Sequence, residues 1–83
     1  MEFLLVLFDD SREVRVGSVP VGRTNVILEL EAGIHRVALG PPNDFSPLDQ
    51  RVRLANTAAM DPVCITFHRL PPAAIPLSPG SPL

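Results

Sequence analysis

The chain has 83 residues, 46% of them apolar, and a formal charge of −2. It is long enough for one small domain and apolar enough for a globular fold rather than a disordered one. The near-neutral charge argues against a general binder of nucleic acid or anionic membrane, which needs a basic face. All seven cations are Arg, so lysine-based catalysis is excluded, and the absence of Trp and Tyr removes the usual platforms for stacking sugars or bases.

Phe3–Phe8 is a continuous apolar run closed by the turn signal Asp9-Asp10-Ser11. It is preceded by Glu2 and is shorter than the apolar stretch of about 7–15 residues in a secretory signal. It is also far too short to span a bilayer. With Met1 as the true start, the expectation is a cytoplasmic protein. As a strand, the run is apolar on both faces: Phe3, Leu5 and Leu7 on one, Leu4, Val6 and Phe8 on the other.

Glu13–Val16 alternates charged residues with valine. The run that begins at Val19 opens with a turn before its first strand. Val26–Glu31 puts Val26, Leu28 and Leu30 on one strand face and both glutamates on the other. Glu31-Ala32-Gly33 reads as a hairpin connection, with Gly33 able to take positive φ, and Ile34–Leu39 as its returning strand. Gly40-Pro41-Pro42-Asn43-Asp44 is a loop. Gln50–Leu54 alternates again, with Arg51 and Arg53 opposite Val52 and Leu54. Asn56–Met60 has room for one helical turn. Asp61-Pro62 opens a last strand, Val63–Leu70, in which Val63, Ile65 and Phe67 share a face. Six or seven short strands with regular turn signals predict an all-β fold, a small antiparallel β-sandwich over residues 1–70.

Residues 71–83 differ in kind. They hold five of the ten prolines and no charged side chain. Such a segment cannot join a sheet interior or continue a helix. It reads as an extended, disordered tail, with Pro76, Pro79 and Pro82 at PxxP spacing.

The segment Val14–Leu39, VRVGSVPVGRTNVILELEAGIHRVAL, resembles the PEGA domain. That family's kernel is a strand, a "pVGkTP"-like turn, an L-x-L strand and a "pG-x-H-x-V-x-L" hairpin. Here Val21–Asn25 stands for the turn, Leu28-Glu29-Leu30 for the strand and Ala32–Leu39 for the hairpin. Asn25 replaces the proline after Thr, Gly17-Ser18 the Asp-Gly-like turn, and Ala32 the proline before the hairpin glycine. The resemblance implies an immunoglobulin-like or transthyretin-like sandwich used as an accessory module, with no catalytic residue.

The residues that carry chemistry are few. Cys64 and His68 would meet on a helix, but on a strand they stand about 13 Å apart, so Cys64 is expected as a small, half-buried filler. A lone cysteine cannot form an internal disulfide. His35 is expected at the sandwich rim, bonded to nearby backbone. Two His and one Cys without ligand-like spacing make no metal site. The glycines match neither GxGxxG nor GxxxxGK[ST] and read as turn residues. Arg51 and Arg53 are expected on a solvated face beside Glu29 and Glu31. No catalytic residue, metal or cofactor is expected.

The second apolar face of Phe3–Phe8 stands out, because one face of a sheet in a small two-layer sandwich normally meets water. The domain's own loops, the Ile75–Leu77 part of the tail, or a partner must cover it. The expected function is a non-enzymatic interaction or structural accessory module. Its partner would be another protein, or a second copy in a homodimer, docked on Phe3, Leu5 and Leu7. The alternative is a module that binds carbohydrate or another small ligand.

Overall fold

The Phe3–Phe8 run forms β1 (Glu2–Leu7), the middle strand of a three-stranded sheet. The computed structural model describes residues 1–71, and these hold nine strands and no helix. The expected tail, Pro71 apart, lies outside the described residues. The strands after β1 are β2 (Glu13–Val16), β3 (Val19–Arg23), β4 (Ile27–Leu30), β5 (Gly33–Leu39), β6 (Phe45–Ser46), β7 (Gln50–Leu54), β8 (Val63–Thr66) and β9 (His68–Arg69). Sheet order is β4-β1-β8 in one layer and β3-β2-β5-β7 in the other, with β6-β9 as a short third pair. No helix among the described residues is long and apolar enough to cross a membrane.

The expected alternation builds the core. Leu4, Val6, Leu28 and Leu30 of the first sheet meet Val14, Val37, Leu39, Val52 and Leu54 of the second, and Phe8, Phe45 and Phe67 complete the cluster. Phe45 packs edge-on against both Phe8 and Phe67, a favoured aromatic geometry. The arrangement is sandwich-like, two sheets sharing one apolar interior.

Several expectations are corrected. The first concerns the strand directions, which are not antiparallel throughout: β1 pairs antiparallel with β4 but parallel with β8. A parallel neighbour cannot come from a tight turn, and β8 is far from β1 in the chain. This register sets Val63 beside Leu4 and Ile65 beside Val6, so both extend the core. The second concerns Glu31-Ala32-Gly33, which makes no hairpin. β4 pairs with β1, whereas β5 pairs with β2 and β7, so the chain changes sheets here. Gly33 takes a φ of 131° at the crossing. Leu28, Leu30, Val37 and Leu39 point into one core in either topology, so alternation alone cannot tell a hairpin from a sheet change.

The third correction concerns Val21–Arg23, expected in a turn, which belongs to strand β3. Pro20 is tolerated because β3 is an edge strand. A bulge between Val14 and Arg15 absorbs the extra residue. Asn56–Met60 forms no helical turn; it leads into a bridge between Ala58 and Asp61. Finally, the expected strand Val63–Leu70 splits at Phe67. The Phe67 amide donates to the Leu7 carbonyl, its ring enters the core, and His68-Arg69 pairs with β6.

Polar locks hold the connections. Thr24, 1% exposed, donates from Oγ1 to the Asp10 carbonyl at 2.6 Å and accepts from the Arg12 amide at 2.9 Å. Asn25, at φ 65°, accepts from the Phe8 amide through Oδ1. Glu2 accepts from the amide and hydroxyl of Thr57, and the Thr57 hydroxyl oxygen accepts from the Phe3 amide. These bonds satisfy the backbone of loops that lack ladder partners.

Candidate functional site: the outer face of the first sheet

With Leu4, Val6 and Phe8 committed to the core, the period-2 geometry of a strand turns Phe3, Leu5 and Leu7 to the opposite face. Register supplies their neighbours. Across β4, Phe3 stands beside Glu29 and Leu5 beside Ile27. Across β8, Leu5 stands beside Cys64 and Leu7 beside Thr66. Phe3 and Leu5 are half-buried, while Leu7 is 36% and Ile27 44% exposed. The result is an apolar patch, Phe3-Leu5-Leu7-Ile27-Cys64, rimmed by Glu29 and Thr66.

The structure therefore brings together the three residues expected as an interface and adds two. Cys64 was expected half-buried and is exposed. The reason is register: Val63 and Ile65 take the inward positions, which leaves Cys64 outward beside Leu5. Alternation within Val63–Thr66 already implied this placement. Ile27 lies one position out of phase with Leu28 and Leu30, a weaker signal that needed the β1–β4 register to gain meaning. Cys64 Sγ lies 3.7 Å from the Pro62 carbonyl oxygen. His35, half-buried in β5, makes the backbone bond expected of it, its Nε2 2.7 Å from the Glu31 carbonyl oxygen.

At the Leu7 end the patch meets a charged knot. Arg12 Nη1 donates to Asp44 and to the carbonyls of Gly40 and Pro42. Arg69 Nε donates to both oxygens of Asp9, and its Nη1 donates to Asp44 at 2.7 Å. Both guanidinium groups also lie over the Phe8 ring, at 5.2 and 5.0 Å from its centre, within cation–π range. The hydrogen bond from Arg69 holds the Asp9 carboxyl below its usual pKa, and that from Arg12 does the same for Asp44. Asp9 in turn pushes Arg69 up. Thr57 lowers Glu2 similarly, through its hydroxyl and its amide.

An open cleft of about 450 Å3 lies between patch and knot, lined by Leu7, Asp9, Thr66, His68 and Arg69 over the Phe8 and Phe67 rings. Its charged groups are engaged with one another. Phe45, the ring that could have served as a stacking surface, is 2% exposed and belongs to the core. Among the described residues no three His, Cys, Asp or Glu side chains cluster as a metal site would require.

Arg51 and Arg53 are exposed, as expected of a solvated face, but their expected glutamate neighbours are corrected. Glu29 lies on β4, in the other sheet, and Glu31 follows it in the sheet-changing link. Neither can pair across a strand with β7. The strand beside β7 is β5, and Arg36 stands directly opposite Arg51. In comparison with known proteins, no family model, no curated protein and no solved structure matches the chain.

Proposed function

We propose that the protein is a non-enzymatic interaction module that self-associates through the outer face of its first sheet. The observation that carries this reading is the second apolar row of β1. Phe3, Leu5 and Leu7 face away from the core and are extended sideways by Ile27 and Cys64. An apolar patch with a polar rim is the composition of a docking surface. A second copy is the favoured partner because the centre of the patch carries no charge, and the charges at its edges, Glu29 at one end and the internally paired Asp9-Arg69 knot at the other, leave an apolar middle that a second apolar middle can cover. The PEGA-like sequence pattern at Val14–Leu39 supports the accessory-module reading, although its expected turn and hairpin are here an edge strand and a sheet change.

Cys64 gives a direct test. Alkylation of its thiol is followed at low and high protein concentration alongside light scattering. Dimerisation through the patch slows alkylation and doubles the scattering mass as concentration rises, and Leu5→Asp abolishes both changes. A wild-type chain that stays monomeric at high concentration, with Cys64 reacting at one rate throughout, would overturn self-association.

A further inference from the structure

The other sheet presents an opposite character. Val14, Val37, Leu39, Val52 and Leu54 turn inward, so Arg15 of β2, Ile34 and Arg36 of β5, and Arg51 and Arg53 of β7 turn outward. Arg15 is held by Glu13 at 2.6 Å. Arg36, Arg51 and Arg53 are exposed, and among the described residues none of them has a carboxylate within 4.0 Å or a hydrogen-bond acceptor. Register crowds them: Arg36 is directly across from Arg51, and Arg53 is across from Ile34, diagonal to Arg36. Like charges directly opposite on neighbouring strands are destabilising. A chain with net charge −2 thus keeps an uncompensated cationic cluster on one sheet face. Such local violations concentrate at functional positions.

The cluster also sits on an edge. β7 pairs with β5 on one side and with no strand of its sheet on the other. Its outer backbone groups can accept another strand, the mode by which extended peptides add to sheets. Charge selects what can dock there. A second copy pairing β7 with β7 would set Arg51 and Arg53 against arginines again, so homotypic edge pairing is disfavoured. Nucleic acid fits poorly as well. The face holds no aromatic side chain on which bases could stack. An extended acidic segment fits. With carboxylates at alternate positions it would place one beside Arg51 and the next beside Arg53, in reach of forked, charge-assisted hydrogen bonds.

We infer that the β7 edge and its Arg36-Arg51-Arg53 cluster form a second docking site, one that takes an acidic protein segment by strand addition. The site is independent of the apolar patch on the first sheet.

The test uses the full chain and a fluorescein-labelled peptide of about eight alternating Glu and Val residues, a strand's length. Controls are the Gln-Val counterpart and an oligothymidylate of equal charge. Anisotropy is read at about 50 and about 200 mM salt, where screening differs strongly. The Glu-Val peptide is expected to bind and the Gln-Val peptide not. Higher salt weakens binding, and R51E/R53E weakens it at least about tenfold. Leu5→Asp leaves it unchanged, which separates this site from the patch. Hydrogen exchange shows protection of the Gln50–Leu54 amides on peptide addition. A failure of the Glu-Val peptide to bind, binding indifferent to R51E/R53E, or unchanged exchange in Gln50–Leu54 would each refute the inference. Oligothymidylate binding as tightly as the peptide would refute the choice of a protein segment. Circular dichroism of R51E/R53E confirms that the variant is folded before its binding is read.

Discussion

Adjacent leucines in β1 make opposite contributions, and that contrast can be measured. Leu4 is fully buried between the sheets, and Leu5 is half-buried on the outer face beside Ile27 and Cys64. Leu4→Ala removes apolar atoms from a packed interior and leaves a cavity, at a cost of about 3 kcal/mol. A domain of this size has roughly 4–11 kcal/mol in total. The change therefore consumes a large share of the stability and lowers Tm by roughly 12–24 °C. Leu5→Ala loses only the hydration term of a partly covered side chain, about 1 kcal/mol, and lowers Tm by roughly 4–8 °C. Thermal unfolding of both variants by far-UV circular dichroism, at low concentration where self-association is absent, reads the ratio. A concentration series adds a second distinction. Partner binding raises apparent stability by mass action, so Tm of the wild type climbs with concentration and that of Leu5→Asp does not. Equal losses for Leu4→Ala and Leu5→Ala would refute the face assignment. A flat Tm for the wild type would refute self-association.

Thr24→Val, close in shape, leaves the Arg12 amide without its side-chain acceptor and the Asp10 carbonyl with only the longer bond from Asn25 Nδ2, for a loss of about 1–3 kcal/mol in denaturant unfolding; Thr24→Ser keeps most of it. Asp9, Asp44 and Glu2 have carboxyl pKa values lowered by folding. Their contribution is therefore present above the unfolded values near 4 and is lost as pH falls through the lower folded ones. Urea midpoints should drop on acidification below about pH 4, and Arg69→Gln should flatten that drop because it removes the chief partner of Asp9. A Cβ at Gly22 would collide with the Leu28 side chain. Gly22→Ala should cost about 1–3 kcal/mol, and a double-mutant cycle with Leu28→Ala should show the two losses to be less than additive.

The faces of most strands were legible in the sequence because alternation reports burial directly; Val26, expected to share the inward face of Leu28 and Leu30, instead precedes β4 and is 56% exposed. Leu28 and Leu30, Val37 and Leu39, and Val52 and Leu54 all point where their spacing says. Connectivity was not legible. A strand entering the core from one sheet or from the other has the same pattern, so Ala32-Gly33 reads equally as a hairpin or as a sheet change. Pro20 and Gly22 signal a break, yet an edge position next to a bulge accommodates both. The same limit applied to function. The apolar second row of β1 was visible from Phe3, Leu5 and Leu7, whereas its extension to Ile27 and Cys64 needed the pairing of distant strands. The crowding of Arg36 against Arg51 likewise depends on the β5–β7 register, which local spacing does not encode.

The parallel pairing of β1 with β8 has a consequence for how the chain is made. The earliest-synthesised of the nine described strands lies between strands formed from the middle and the far end of the domain. Until Val63–Thr66 has been synthesised, β1 lacks one neighbour and exposes a bare backbone edge between two apolar rows. Closing that gap demands a long loop before any reward, the kind of topology that folds slowly, in milliseconds to seconds. A nascent chain stalled before Val63 would be the species most prone to aggregate or to recruit a chaperone. Quality control during synthesis thus depends on a strand whose second partner is the eighth of the nine described strands to be made.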